Sequence, residues 1–99
     1  MIIALDYDGT YTADPVLWRV VCMAAVERGH AVVCVTGRSV AIDFDHDPPL
    51  PNGVAVVLAG TYPCKRMAAE AAGYHVSVWI DDMPELVGPT KLLSFGVSA

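Results

Sequence analysis

The sequence predicts an α/β fold with a mainly parallel sheet, and three observations carry that reading. Apolar strand-like runs alternate with helical patterns along the chain. The run Val32-Val33-Cys34-Val35 is continuous and β-branched, as suits a strand covered on both faces. The polar residues that need explaining follow the ends of the runs, where open parallel sheets place their ligand crevice.

The elements follow in order. Ile2 to Leu5 form the first strand. Asp14-Pro15 starts a helix, because Asp can cap free N–H groups and Pro fits the first helical position. Leu17, Val20, Val21, Ala24 and Ala25 recur at helical spacing and are expected to pack on the sheet, and Gly29 stops the helix. Ala31 to Val35 is the second strand. Residues 39–53 hold Asp43, Asp45, Asp47, Pro48, Pro49 and Pro51, which excludes a long regular helix and predicts a short helical turn plus an ordered loop. Val54 to Ala59 is the third strand, Pro63 to Ala72 a helix, Val76 to Ile80 the fourth strand, and Lys91 to Phe95 a short fifth. No repeat, linker or second domain interrupts residues 1–99, so one domain is expected.

Composition narrows the function. A hydrophobic share of 55% excludes a disordered tail. A net charge of −5 with scattered basic residues argues against nucleic-acid binding. No apolar run approaches the roughly 18–20 residues of a membrane span, and Asp6 interrupts the pattern a signal peptide needs. Cys22, Cys34 and Cys64 are an odd number without CxxC spacing. Cys22 and Cys34 read as reduced core residues, so a cytoplasmic protein is expected, and Cys64 reads as a packing residue by the burial habit of free cysteine. A short core with 17% charged residues makes a homo-oligomer plausible.

Four separate segments deliver functional groups to one sheet edge: Asp6 and Asp8, Thr36, Lys65, and Asp81-Asp82. Carboxylates brought together repel one another unless a cation shares the site. Hard oxygen ligands suit Mg²⁺. Lys65 and Thr36 add donors for an anion, and this combination is what phosphoryl transfer requires.

Asp6-Tyr7-Asp8-Gly9-Thr10 after a strand resembles the DxDGT signature of the haloacid dehalogenase (HAD) superfamily. Thr36 at a strand end, Lys65 early in a helix, and Trp79-Ile80-Asp81-Asp82 resemble its other three motifs, in order. The resemblance implies a Rossmannoid three-layer sandwich of about five strands. It also implies an Mg²⁺-dependent phosphohydrolase acting on a small phosphorylated compound or nucleotide. Asp6 would be the nucleophile and Asp8 the acid and base, while Thr36 and Lys65 hold the phosphoryl oxygens. Asp6, the Asp8 carbonyl, Asp81 and Asp82 would hold the metal. The short connection from Tyr11 to Ala13 leaves no room for a cap domain, so the chain resembles the small capless HAD-like proteins of bacteria and phages.

Plainer readings stand beside these. Thr36 also reads as a strand end and Lys65 as a surface lysine. Gly37-Arg38 borders the crevice, where Arg38 is expected to touch substrate. Tyr11, Tyr62 and Trp18 either flank a nucleobase or pack. Asp81-Asp82 before Met83-Pro84 also reads as a helix cap, and residues 43–47 as a solvated acidic loop. An alternative function is sequestration of a nucleotide or phosphorylated signal without cleavage, as a phage counter-defence protein would use. A response-regulator phosphoacceptor is discounted because Leu58-Ala59-Gly60 offers no carboxylate after strand three. Neither GxxxxGK[ST] nor GxGxxG is present.

Overall fold

In the computed structural model, which describes residues 1–89, four strands form one parallel sheet in the order β3-β2-β1-β4. The strands are β1 (Ile2–Leu5), β2 (Ala31–Thr36), β3 (Ala55–Leu58) and β4 (Val78–Ile80). Two helices connect them: α1 (Pro15–Glu27) from β1 to β2 and α2 (Lys65–Ala71) from β3 to β4. The fifth strand expected at Lys91 to Phe95 lies outside the described residues.

Alternation along the strands divides the interior in two. Ile2, Ala4, Val33, Val35 and Val57 join Ala68 and Ala69 of α2 on one face. Ile3, Leu5, Val32 and Cys34 join Trp18, Cys22 and Ala25 of α1 on the other. Successive side chains of a strand point to opposite faces, so an unbroken apolar run fills both layers.

Helix α1 starts where expected. The Asp14 Oδ1 accepts the Leu17 N–H at 3.1 Å, and Pro15 occupies the first turn. The packing face differs in part from the one expected, with Ala25 common to both. Trp18, Cys22 and Ala25 turn inward, whereas Leu17 and Val20 are 49% and 60% exposed. α1 is apolar on nearly every side, so periodicity alone did not select the stripe that packs. The Trp18–Cys22–Ala25 stripe carries the indole, which fills more of the layer beside Tyr11 and Ile80.

The β2–β3 crossover is a single turn and a loop, as its prolines and aspartates predict. Asp43 O accepts the N–H groups of His46 and Asp47 at 3.1 and 2.8 Å, and Asp43 Oδ1 accepts that of Asp45 at 3.0 Å. Two tyrosines fasten the loop to the sheet. Tyr7 and Tyr11, both fully buried, stack with ring centroids 5.7 Å apart. Their hydroxyls donate to the Pro48 and Pro49 carbonyls, the latter at 2.7 Å. No helix of the described residues is long and apolar enough to cross a membrane.

Candidate functional site

The carboxyl ends of the four strands meet at one rim. Asp6 follows β1 directly, its N–H donating to Ile80 O at 2.9 Å, so the register of β1 with β4 sets Asp6 beside Asp81. Lys65 is the first residue of α2, and its side chain is only 5% exposed. Its Nζ donates to Asp6 Oδ1 at 2.7 Å and to Asp81 Oδ2 at 2.6 Å. Carboxylate oxygens of Asp6, Asp81 and Asp82 all lie within 4.8 Å of one another. Segments 59 residues apart in sequence, at Asp6 and Lys65, thus share one ion pair.

Thr10 completes the cluster. Its Oγ1 lies 3.2 Å from both Asp6 Oδ2 and Asp82 Oδ1 and accepts the Asp82 N–H at 3.2 Å. Gly9, with φ of +84°, makes the turn between Asp8 and Thr10. A Cβ there would stand 2.5 Å from Asp82 Oδ2, so a larger residue would displace that carboxylate as well as strain the dihedral. Asp81 also accepts the Met83 N–H at 2.9 Å. The short 3-10 turn Pro84–Leu86 that follows has no side-chain cap from either aspartate.

One lysine stands among three carboxylates, and of these three residues Asp6 is the most buried as a whole. Burial pushes its carboxyl up to about 6, and the neighbouring Asp82 adds to this against the pull of Lys65. Burial works against the charge of Lys65, yet its bonds to Asp6 and Asp81 carry its ammonium above the ordinary lysine range.

Asp8 points elsewhere. Its carboxylate is 54% exposed and takes two hydrogen bonds from Arg38, from Nε at 2.8 Å and Nη2 at 2.7 Å. Arg38 Nη1 reaches Asp47 at 3.0 Å, and the guanidinium lies 5.3 Å from the Tyr7 ring centroid. The Arg38 bonds hold the Asp8 carboxyl below the usual range, and the same bonds raise Arg38. Arg38 itself is set by a tight turn. Thr36 Oγ1 accepts the Arg38 N–H at 3.3 Å, and Gly60 N–H donates to Arg38 O at 3.2 Å. A Cβ on Gly60 would stand 2.7 Å from Gly37 O and from Ser39 N, so the end of β3 closes against this turn only as glycine.

A cavity of about 130 Å³ opens among these groups, lined by Asp6, Asp8, Gly37, Lys65, Asp81 and Asp82. Beside it, sharing Asp81 and Asp82, lies a cleft of about 290 Å³ with Trp18 and Ile80 on its wall. Thr36 is fully buried beneath the turn.

Thr36 and Arg38, expected to touch the phosphoryl group and substrate, do not line the cavity, and two aromatics named for the crevice stand apart from it as well. Tyr11 is fully buried with its hydroxyl committed to Pro49, so it packs the loop and does not face a ligand. Tyr62 is 43% exposed on the connection between β3 and α2 and does not line the cavity. Conversely, Thr10, Tyr7 and Asp47 take part through contacts that sequence spacing does not reveal. The sequence places Asp47 in a solvated acidic loop. Only its distance to Arg38 in space reveals the link, since nine residues separate them in the chain. Burial pushes the Cys34 thiol up to about 12, which makes it a packing residue.

The chain matches no family model, no curated protein and no solved structure. Its chemistry therefore follows from geometry and residue types.

Proposed function

We propose that this chain is a small capless HAD-like protein whose rim holds Mg²⁺ and the phosphoryl group of a small phosphorylated compound, nucleotides included, and cleaves it. The observation that carries the reading is Lys65 bridging Asp6 and Asp81, which gathers a nucleophilic carboxylate, metal-type oxygens and an ammonium within one opening.

The donor set fits magnesium. Asp6, Asp81 and Asp82 supply hard oxygens close enough to share an ion. When bound, the ion would neutralise charge that builds on the phosphoryl oxygens. The remaining steps belong to side chains. Asp6 attacks phosphorus and forms an aspartyl phosphate while the bond to the leaving oxygen breaks. Asp8 gives that oxygen a proton and later takes one from the attacking water, releasing inorganic phosphate and restoring Asp6. Lys65 pairs with the phosphoryl oxygens, and the Thr36 hydroxyl, whose hydrogen is not used in accepting from Arg38, supports the same turn. The test is phosphate release from aryl and nucleoside phosphates with Mg²⁺, with Asp6→Asn as control. Release that needs both Asp6 and the metal supports hydrolysis.

A second reading, binding without cleavage, is favoured by one feature. Asp8 is held ionised by Arg38, and an ionised carboxylate cannot donate a proton. Mass spectrometry of a phosphorylated ligand after incubation and denaturation separates the two readings, since a binder returns it intact.

A further inference from the structure

Helix α1 buries one stripe and exposes another that is also apolar. Val16, Val20, Met23 and Val26 are 76%, 60%, 61% and 51% exposed. With Arg19 and Glu27 they recur at spacings of three and four, the pattern of a helix seam. Scattered apolar side chains on a surface need no explanation, but a continuous stripe over the whole helix does. It also borders two depressions. One of about 290 Å³ lies against Met23, Val26, Pro51 and Val54, and one of about 480 Å³ against Arg19, Met23, Pro49 and Leu50.

We propose that α1 pairs antiparallel with α1 of a second copy of this chain, about a twofold axis near Met23. The charges select this occupant and this direction. Arg19 and Glu27 flank Met23 four residues to either side, and neither is in an ion pair among the described residues. A twofold axis at Met23 sets Arg19 of each copy against Glu27 of the other, so both pairs form together. A parallel arrangement would oppose Arg19 to Arg19 and Glu27 to Glu27. A closed isologous contact uses one self-complementary surface, and the Arg19 and Glu27 charges make this stripe self-complementary about Met23. The depressions beside Met23 receive the apolar side chains of the partner helix.

The experiment is sedimentation velocity of the full chain across a concentration series. The wild type sediments as a dimer, and Met23→Glu as a monomer with an unchanged circular dichroism spectrum. Arg19→Glu raises the dimer Kd severalfold, and adding Glu27→Arg restores it, a readout that stands even if Met23→Glu disturbs folding. Met23→Cys forms a disulfide to its own copy under mild oxidation, whereas the wild type does not. A wild type that stays monomeric, or a dimer indifferent to the Arg19 and Glu27 reversals, overturns the proposal. Phosphate release plays no part in the readout, so this result and that of the proposed function are independent.

Discussion

Arg38 grips Asp8 through two parallel hydrogen bonds of 2.8 and 2.7 Å, which ties the acid–base candidate to the turn after β2. Bidentate guanidinium–carboxylate pairs add geometric definition as well as attraction. Removing the grip lets the Asp8 carboxyl rise towards its ordinary range, so it stays protonated to higher pH. Arg38→Ala is expected to move the descending limb of a phosphate-release profile to higher pH, and Asp47→Asn to move it less. Rate against pH for the two variants checks this. The pair is half exposed, so its share of stability is expected below about 1 kcal/mol. Because the Asp8 carboxyl is depressed, that share is present above the ordinary carboxylate pKa and lost as pH falls through the folded value.

Lys65 is buried between two carboxylates, so its removal strands negative charge in the interior. Lys65→Met is expected to cost about 3–5 kcal/mol in urea unfolding. Added Mg²⁺ should recover more stability in this variant than in the wild type, because the ion answers the same charge. An equal response of both proteins to the metal would disconnect Lys65 from the cation site.

The Asp6 carboxyl at about 6, against an ordinary 3.8, has a defined consequence. The folded protein binds this proton more tightly than the unfolded chain. Ionising Asp6 therefore costs stability that builds up as pH rises from about 3.8 to about 6, is complete above about 6, and is absent below the unfolded value. Asp6→Asn is expected to raise the melting temperature at about pH 8 and to change it little near pH 4, with an upper bound of about 3 kcal/mol. Since a metal ion must displace the proton, Mg²⁺ should stabilise the wild type more at pH 8 than at pH 5. Thermal melts across this range, with and without the metal, measure both.

Gly9 and Gly53 share almost the same dihedral, φ of +84° and +87°, but differ in surroundings. Gly53→Ala meets nothing within 4 Å and is expected to cost about 1 kcal/mol from the dihedral alone. Gly9→Ala also drives a Cβ into Asp82, so it is expected to cost roughly 1–3 kcal/mol and to weaken Mg²⁺ binding. Urea midpoints and calorimetric metal titration of the two variants separate the strain from the contact.

Much of the fold was legible because it rests on local rules. The apolar runs at Ile2 to Leu5 and Val32 to Val35 mark strands, and Asp14-Pro15 marks a helix start, whatever the tertiary context. The meeting of Asp6, Lys65 and Asp81 was legible as well, since parallel strands send their carboxyl ends to one rim. What the sequence concealed depends on rotation and contact. It did not show that α1 packs through Trp18 and Cys22 instead of Leu17 and Val20, because both stripes are apolar. Nor did it separate Tyr11, which lies in the core, from a crevice aromatic, or Asp47 from its solvated neighbours. Those assignments depend on partners such as the Pro49 carbonyl and Arg38, whose positions a loop sets without periodicity.

The Tyr11 placement has its own check. Tyr11→Phe removes the hydroxyl bond to Pro49 and nothing in the cavity, so it is expected to cost about 1 kcal/mol. Affinity for a phosphate ligand should stay unchanged. A large loss of affinity with intact stability would return Tyr11 to the crevice.

The most direct measurement is fluorine NMR of the chain with beryllium fluoride and Mg²⁺, a mixture that mimics a phosphorylated aspartate. The cluster of Asp6, Lys65, Asp81 and Asp82 should give a bound resonance that vanishes without the metal and in Asp6→Asn. Absence of that resonance in the wild type, or its persistence in Asp6→Asn, would contradict a phosphoryl site built on Asp6.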